Sequence, residues 1–399
     1  MSVSLGPLQG IRVLEFTHMI MGPVVGAILV ELGAEVIKIE PPGGDRTRTL
    51  LGTGAGYFPM YNRNKQSLCL NLKHPRGVEL ARRLALRSDV LIENFRPGVL
   101  DALGLSYEVL SQENPRLIYA SLKGFLKGPY EQRTALDEVA QMMGGLAYMT
   151  GPPGRPLRAG ASVVDVTGGM FGVIGILAAL HERQSTGRGQ KIISALFETA
   201  VYLVGQHMAQ MAVTGQAAKP MPARLSAWAI YDVFDTLDGQ QVFVGVVSDA
   251  QWQSFCTAFG CPELSTDPRY TTNNQRVLAR SELLPLVRDK LAVLSRAELL
   301  ARLERAGLPF APIARPEDLF EDPHLQRSGG LTATQLPDGR QTQLPALPLE
   351  LDSRRPTRGG ALPAAGEQSL EVLRSLGIGD GEVAELAASG VIELLPEEP

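Results

Sequence analysis

Asp165 has the most unusual chemical setting of the acidic residues in this 399-residue sequence. It stands at the start of a long apolar stretch, and Gly168 and Gly169 follow it closely. Burying an unpaired carboxylate is costly, but the amides of a helix N-terminus would hold Asp165 ionised and therefore nucleophilic. Its small neighbours would leave it open to a substrate. Because an aspartate at a helix start is also a common cap, the residues alone leave two interpretations, a cap or a nucleophile for covalent catalysis.

Other catalytic arrangements are scarce. The five histidines are dispersed, and only His18 lies in the loop after the first predicted strand, where open α/β sheets place ligands. The sequence contains no G-x-S-x-G, H-E-x-x-H or P-loop motif. Three scattered cysteines (Cys69, Cys256 and Cys261) are too few for a disulfide framework or a zinc site. We therefore expect no metal.

A dinucleotide-binding interpretation fails at the first turn. Glu40 ends the second predicted strand, where an acidic residue could hold a ribose. The preceding turn, however, has Gly22 and Gly26 in place of G-x-G-x-x-G, and Pro23 opens the helix. We therefore expect no nicotinamide cofactor.

The elements that must position these residues alternate in the first half of the chain. Short β-branched runs predict strands at 11–16, 36–39, 67–72, 90–92 and 117–121, with helices at 23–32, 77–87 and 97–103. Strand–helix–strand units of this length predict a mostly parallel, doubly wound sheet. From Asp137 to about Thr214 the pattern favours three long helices.

A second unit begins near residue 223. Alternating apolar and polar residues on both sides of Asp238-Gly239 predict a hairpin, and helical patterns follow at 250–259, 281–292 and 295–306. Residues 337–363 are rich in proline and glycine and favour an extended segment. Two short helices are predicted at 368–376 and 381–388. The sequence thus predicts an α/β domain, an α+β insert and an extended return segment.

Composition excludes several classes of protein. A formal net charge of −4 without blocks of like charge lacks the electrostatic footprint of a nucleic-acid-binding protein. The N-terminus has no basic region followed by a long apolar run, so no secretory signal is evident. The apolar stretch 163–180 contains Asp165 and the two glycines, which favours a fully buried core helix over a membrane span. We expect a cytoplasmic protein with no membrane partner.

Several longer motifs together carry a resemblance to a known family. They are "LQGIRVLEFTHMIMGPVVGAILVELGAEVIKIEPPGGDRTR", "YNRNKQSLCLNLKHPRG", "VLIENFRPGVLDALGLSYEVL", "NPRLIYASLKGF" and "TGRGQ". In this order and spacing the sequence resembles the class III CoA-transferases, the CaiB/BaiF family, which includes formyl-CoA transferases. The resemblance implies an interlocked homodimer. Its Rossmann-like large domain would be formed by 1–220 together with the return segment 316–399, and its smaller α+β domain by 221–315.

The resemblance also implies a mechanism and a set of site residues. Asp165 aligns with the family's nucleophile, which forms an aspartyl anhydride and then an aspartyl-CoA thioester. The CoA thioester would be a substrate, and no tightly bound cofactor is implied. The positions that contact CoA in the family are Ile20, Met21, Leu72, Lys73, Asn94, Phe95, Arg96, Thr134 and Asp137. Further candidates are His18, for its place in the loop after the first strand, and Arg46 and Arg48, for their charge. Gly168 and Gly169 are candidates because they lie beside the nucleophile.

Departures from the family's patterns bear on the substrate. Formyl-CoA transferases have glutamine at Ile20, tyrosine at Leu136 and a glycine-rich loop in the small domain, which we do not find here. The related racemases have a histidine base at Leu136, and leucine cannot exchange a proton. The leading hypothesis is CoA transfer from an acyl-CoA, such as succinyl-CoA or a similar short acyl-CoA, to a carboxylic acid. An α-methylacyl-CoA racemase-like enzyme and a non-catalytic acyl-CoA-binding protein remain as alternatives.

Overall fold

A computed structural model of the protein describes residues 6–224 and 226–395. Its strands in chain order are β1 (Arg12–Phe16), β2 (Glu35–Glu40), β3 (Gln66–Leu70), β4 (Val90–Glu93), β5 (Ile118–Lys123), β6 (Lys191–Ala195), β7 (Ile230–Asp235), β8 (Gln241–Val246), β9 (Phe310–Pro312), β10 (Leu331–Gln335), β11 (Gln341–Pro345), β12 (Gly360–Ala361) and β13 (Ile392–Glu393).

Helices connect and cover these strands. In chain order they are α1 (Met21–Glu31), α2 (Tyr57–Tyr61), α3 (Pro75–Leu86), α4 (Val99–Ala102), α5 (Tyr107–Glu113), α6 (Asp137–Met143), α7 (Leu146–Thr150), α8 (Val163–Thr186), α9 (Leu196–Leu203), α10 (Gly205–Thr214), α11 (Asp249–Ala258), α12 (Pro262–Thr266), α13 (Asn273–Leu278), α14 (Arg280–Ala292), α15 (Arg296–Arg305), α16 (Pro323–Ser328), α17 (Ser369–Ser375) and α18 (Asp380–Ala388).

The main sheet has seven strands in the order β13-β3-β2-β1-β4-β5-β6. β1 pairs in parallel with β2 on one side and β4 on the other, so that Leu14 lies opposite both Ile37 and Leu91. The short β13, from the C-terminal part of the chain, joins the β3 edge in the antiparallel direction. Strand order reverses between β1 and β4, and open α/β sheets bind ligands at such a point, beyond the carboxyl ends of the strands. The predicted parallel, doubly wound sheet is confirmed.

Apolar clusters on the two faces of this sheet form the core. One cluster packs α3, α5, α17 and α18 against the sheet through buried leucines such as Leu84 and Leu373. The other packs α1 and α8 on the opposite face, through residues such as Val25 and Ile176. Helices on both faces therefore bury a sheet whose strands are almost continuously apolar, as parallel sheets require.

Two compact units divide the chain. One takes in the chain up to Pro220 and again from Pro323, and the other spans Met221–Asp322. In the second unit β7, β8 and β9 form an antiparallel sheet, and the hairpin predicted around Asp238-Gly239 is confirmed, with Gly239 at a φ of 70°. Trp252 and Phe255 on α11 lie in its apolar core.

The structure corrects three sequence-based expectations. The region from 137 to 214 does not form three long helices, because β6 interrupts it and only α8 is long. α8 is not fully buried either, since Met170, Ile174 and Leu177 are exposed on one side. The segment 337–363 is not simply extended, because β11 pairs with β10 in a hairpin and β12 adds to β10 in parallel.

Candidate active site

A cavity of about 270 Å³ lies beyond the carboxyl ends of β1, β4 and β5, at the point where strand order reverses. It brings together six of the residues singled out from the sequence: His18, Ile20, Met21, Asn94, Asp137 and Asp165. These residues come from the loop after β1, the start of α1, the end of β4 and the starts of α6 and α8. The fold therefore gathers them at one site although up to 147 positions of sequence separate them.

Asp165 is part of the first turn of α8, and its carboxylate lines this cavity. Burial, followed by the negative charges of Asp137 and Glu138, raises the pKa of Asp165 to about 7, while Arg158 acts weakly in the opposite direction. We expected the amides of the helix N-terminus to hold Asp165 ionised. That expectation is wrong, because those amides bind a different carboxylate.

That carboxylate is Asp137, at the start of α6. Its Oδ2 accepts hydrogen bonds from the backbone amides of Val164 (2.9 Å) and Asp165 (3.0 Å). Ser162, at the N-cap position of α8, makes no capping hydrogen bond with its side chain. Asp137 therefore caps α8 from another helix and, as a residue of the cavity wall, also belongs to the site.

Gln141 holds Asp137 in place. This glutamine is fully buried, and its Nε2 donates to Asp137 Oδ1. Its Oε1 accepts the amide of Ala159 at 2.8 Å, from the segment that leads into α8. Arg158 Nη2 lies 3.7 Å from the same Oδ1. The capping carboxylate therefore has a fixed orientation beside Asp165.

Gly168 and Gly169 serve helix packing rather than access to Asp165. A Cβ on Gly169 would lie 2.8 Å from the carbonyl oxygen of Met21 and 2.9 Å from Val24, and a Cβ on Gly168 would lie 2.7 Å from the end of the Met21 side chain. The two glycines thus let α8 approach α1 closely, which brings Asp165 to the cavity edge formed by Met21. Our expectation that they leave room for substrate is corrected accordingly.

Several wall residues were missed by the sequence analysis, among them Tyr57, Lys123, Ser162 and Leu196, while Leu136 was noted only for its departure from the family. Lys123 ends β5, and the carboxyl end of a parallel strand was the signal that could have found it. Its charge is already neutralised, because Nζ lies 2.7 Å from Glu93 Oε1. The cavity therefore presents more uncompensated negative than positive charge.

Other expected CoA-binding residues lie outside this cavity. Leu72 packs against the apolar core, whereas Lys73 and Thr134 are exposed. Phe95 stacks on His18 with ring centroids 5.7 Å apart, and burial lowers the pKa of that histidine. Arg96 lines a neighbouring cleft of about 140 Å³ that shares Lys123 with the cavity.

The two arginine candidates after β2 differ. Arg46 is exposed, so it can still reach an anionic ligand. Arg48 makes a double hydrogen bond to Glu40 (2.7 and 2.6 Å), donates to the carbonyl of Pro363 and stacks over Phe58. The expectation that Arg48 binds a ligand is therefore wrong, because its guanidinium is used in contacts within the protein. Both carboxylate oxygens of Glu40 accept hydrogen bonds from other residues of the protein. Glu40 is therefore not available to bind a ribose.

A group of oppositely charged residues is buried beside the site, and we name it the paired cluster: Glu15, Lys38, Glu40, Asp45, Arg48 and Lys65. Glu15 and the two lysines are essentially inaccessible to solvent. Lys65 Nζ lies 2.8 Å from Glu15, and Lys38 Nζ lies 3.0 Å from Asp45. Lys38 also donates to the carbonyl of Thr17 at 2.7 Å. The paired cluster thus supports the loop that follows β1.

Two general features complete the description. Within residues 6–224 and 226–395, no group of three or more His, Cys, Asp or Glu side chains could hold a metal ion. In the same residues α8 is the one helix that is long and apolar enough to cross a membrane by length and composition. In this fold it packs against α1, β5 and β6 and acts as a core helix.

The family of the chain follows from comparison with known proteins. Residues 8–369 match the family described as CoA-transferase family III. The chain therefore belongs to that family and is a CoA-transferase.

Individual relatives cover nearly the whole chain. It is 33% identical to succinyl-CoA:glutarate CoA-transferase of Mus musculus, over 98% of this chain and 91% of the relative. It is 36% identical to formyl-CoA:oxalate CoA-transferase of Streptomyces coelicolor, over 96% and 99%. A crystal structure of a CaiB/BaiF family protein from Brucella suis superposes with a TM-score of 0.82 at 34% identity, covering 94% of this chain and 100% of that one.

Proposed function

We propose that the chain transfers CoA between carboxylic acids with Asp165 as the covalent nucleophile. The observation that carries the proposal is the state of that carboxylate. It faces a cavity, its pKa is raised to about 7, and within the described residues it accepts no hydrogen bond from a side chain or backbone amide. A carboxylate that is basic and accepts no hydrogen bond has its lone pairs available for nucleophilic attack.

The reaction would proceed through exchanges at three carbonyl groups, those of the donor acyl group, of Asp165 and of the acceptor. The Asp165 carboxylate attacks the thioester carbonyl of the donor, which gives an aspartyl–acyl anhydride and CoA thiolate. The thiolate attacks the aspartyl carbonyl and releases the first acid, leaving an aspartyl-CoA thioester. The incoming carboxylate attacks that thioester and displaces CoA thiolate, which gives a second anhydride. The thiolate then attacks the acceptor's acyl carbonyl in this anhydride and frees the Asp165 carboxylate. Each step exchanges one acyl bond for another, and no net proton is consumed.

Trapping experiments test the nucleophile. Hydroxylamine or borohydride, added together with acyl-CoA, should inactivate the wild type, because both reagents react at the aspartyl carbonyl of the anhydride or thioester intermediate. They should leave Asp165→Ala unmodified, and this variant should lose turnover by a factor of about 1,000 or more. Wild-type turnover in Asp165→Ala would refute the mechanism.

For the substrate we propose succinyl-CoA or a similar short acyl-CoA as donor and a carboxylic acid as acceptor. The relative that acts on succinyl-CoA and glutarate supports this choice, and the formyl-CoA:oxalate relative supports only the wider class. Ile20 and Leu136, where we expected formyl-CoA transferases to differ, both line the cavity. A matrix of donors and acceptors, with mass spectrometry of the CoA products, decides the pair.

The CoA would be held at the mouth of this cavity. Ile20, Met21 and Asp137 line it, and Phe95 packs beside it on His18. The exposed cations Lys73, Arg96 and Arg46 are our candidates for the phosphates, since CoA carries about four negative charges. Replacing each by glutamine should raise the KM for acyl-CoA and leave kcat unchanged.

We further propose that the active form is the interlocked homodimer that the resemblance implies, in the cytoplasm. Large apolar side chains are exposed on α8, α9 and α10 of the single chain, and α9 packs against both other helices, so this surface is our candidate for the interface. They are Met170, Ile174, Tyr202, Met208, Met211 and Val213. Three free cysteines suit a reducing compartment. Light scattering of the purified protein tests the dimer.

Two alternatives make different predictions. A racemase-like enzyme would incorporate deuterium at the α-carbon of an acyl-CoA in D₂O without an acceptor acid. A non-catalytic binding protein would bind CoA esters but show no exchange of labelled acid into thioester. Leu136 in the cavity wall carries no group that transfers protons, which favours transfer over racemisation.

A further inference from the structure

The loop after β1, residues 17–20, forms one wall of the cavity and enters α1. Three of its four residues, His18, Met19 and Ile20, line the cavity together with Asp165. Lys38 holds the beginning of the loop through the carbonyl of Thr17. The middle of the loop needs a separate restraint, because its backbone departs from the conformations that ordinary residues prefer.

Met19 has a φ of 63°, in the left-handed region. For a residue with a Cβ this conformation costs roughly 1–2 kcal/mol, and only interactions with the surroundings can hold it. Met19 is partly exposed to the cavity, so packing of its own side chain restrains it only weakly. The restraint must act on the neighbouring backbone.

Asn94, directly after β4, supplies that restraint. Its Oδ1 accepts the backbone amide of His18 at 3.0 Å, and its Nδ2 donates to the backbone carbonyl of the same residue at 2.8 Å. The side-chain amide thus pairs with both polar groups of one residue, as a neighbouring strand would. Phe95 stacks on the His18 ring and adds a second contact from the same segment.

Close packing leaves this arrangement little freedom. A Cβ on Gly22, in the first turn of α1, would lie 2.4 Å from Thr17 Cβ and 3.1 Å from Asn94 Cγ. Asn94 therefore lies against both the loop and α1, and its oxygen and one of its two N–H donors are already used on His18. A ligand that displaced these two hydrogen bonds would release the cavity wall from the end of β4.

We propose that Asn94 is a positioning residue of the transfer site, which holds His18 and Met19 in the cavity wall, and that this role, rather than a contact with CoA, is the main function of its side chain. The proposal rests on the proposed function for its kinetic consequence. It reassigns a residue that the family resemblance places among the CoA contacts. Its structural consequence can be measured without any turnover.

Hydrogen exchange and CoA binding test the structural consequence. In Asn94→Ala, peptides that cover residues 17–21 should exchange at least tenfold faster, while the dissociation constant for CoA changes less than threefold. Asn274→Ala is the matched control, because Asn274 is an exposed residue of α13 in the second unit. Unchanged exchange in Asn94→Ala, or a dissociation constant raised tenfold or more, would overturn the proposal even if the protein proved not to transfer CoA.

Kinetics test the link to catalysis. Asn94→Ala and Asn94→Asp should lower kcat at least tenfold with little change in the KM for acyl-CoA, since the aspartate keeps the acceptor but sets a negative charge against the His18 carbonyl. In a Met19→Gly background the loss caused by Asn94→Ala should shrink at least threefold, because glycine adopts a positive φ readily. An equal loss in both backgrounds, or a raised KM with unchanged kcat, would contradict the proposal. Absence of transfer by the wild type would instead contradict the proposed function.

Discussion

Two groups of acidic residues lie at and beside the candidate site, and they differ in how their charge is balanced. The paired cluster contains Glu15, Glu40 and Asp45 and as many bases, Lys38, Lys65 and Arg48. Burial alone would raise the pKa of Glu40 and of Asp45. The charges and hydrogen bonds of Arg48 and Lys38 outweigh that effect, and both pKa values are lowered. Glu40 and Asp45 are therefore stabilised in their ionised form.

The second group, which we name the surplus cluster, contains Asp137, Glu138 and Asp165 but only one base, Arg158. That arginine lies against Asp137 and Glu138, and Asp137 is satisfied by amides. Asp165 therefore carries the uncompensated charge, and its pKa rises to about 7. The comparison indicates that burial alone does not raise the pKa of a carboxylate in this fold. The pKa rises where the buried carboxylate also lacks a paired cation while its neighbours keep theirs.

Removing one base from the paired cluster should have the largest effect on stability. Lys65→Met leaves Glu15 buried beside an apolar side chain, and breaking a buried ion pair on one side costs about 3–5 kcal/mol. The free energy of unfolding, from urea denaturation at pH 7, should fall by that amount. Lys290→Met is the control, because its ion pair with Glu263 is exposed and should contribute less than about 1 kcal/mol. Equal stability of the two variants would show that the paired cluster is not structural.

Removing Asp165 from the surplus cluster should have the opposite effect and increase the free energy of unfolding. With a folded pKa near 7 and an unfolded pKa near 4, Asp165 binds more protons folded than unfolded, so its contribution to stability falls as pH rises from 4 to 7. At about 1.4 kcal/mol per pKa unit this penalty reaches about 4 kcal/mol above pH 8.

Asp165→Asn should therefore be more stable than the wild type by about 4 kcal/mol at pH 8 and similar to it at pH 4. Thermal unfolding at the two pH values measures the difference. The same variant should lose CoA transfer, which is the exchange of stability for activity expected of a site under strain. A variant that is destabilised at pH 8 would show that Asp165 is paired in solution.

The sequence predicted the elements whose signals are local. Strands β1 to β5 and the β7–β8 hairpin follow from β-branched runs and from Asp238-Gly239. β6 was missed because its residues run directly into the apolar helix α9, and pairing with β5 defines it as a strand. The β10–β11 hairpin was missed although its turn contains Asp338-Gly339, the same dipeptide as Asp238-Gly239, with Gly339 at a φ of 82°.

The site was predictable only in part, for a related reason. Asp165 was found from its apolar surroundings, and Asp137 from the family resemblance. Their relation was not predictable, because Asp137 accepts an amide of α8 that lies 27 positions later and Gln141 joins Asp137 to a third segment. Lys65 and Glu15 are likewise 50 positions apart. Sequence can indicate which residue types could react, whereas charge balance depends on contacts between distant segments.

Within the surplus cluster, Asp137→Asn should move the pH dependence of transfer. Asp137 is the largest charge that raises the pKa of Asp165, so its neutral isostere should shift the acidic midpoint of kcat downwards by about one pH unit, equivalent to about 1.4 kcal/mol. The amide oxygen of the asparagine can still accept from the α8 amides, so folding should be kept. An unchanged midpoint would show that burial alone sets the pKa.

Arg158→Gln should give the smallest shift of the acidic midpoint of kcat, and this shift should be upwards. Arg158 is the weakest of the four influences and the only one that lowers the pKa of Asp165. Because its guanidinium is partly exposed and shared with Glu138, solvent screens much of its charge. We expect the acidic midpoint to rise by a few tenths of a pH unit, with Arg305→Gln on α15 of the second unit as a control that leaves it unchanged. A downward shift would mean that Arg158 acts on Asp165 through the position of Asp137 rather than through its charge.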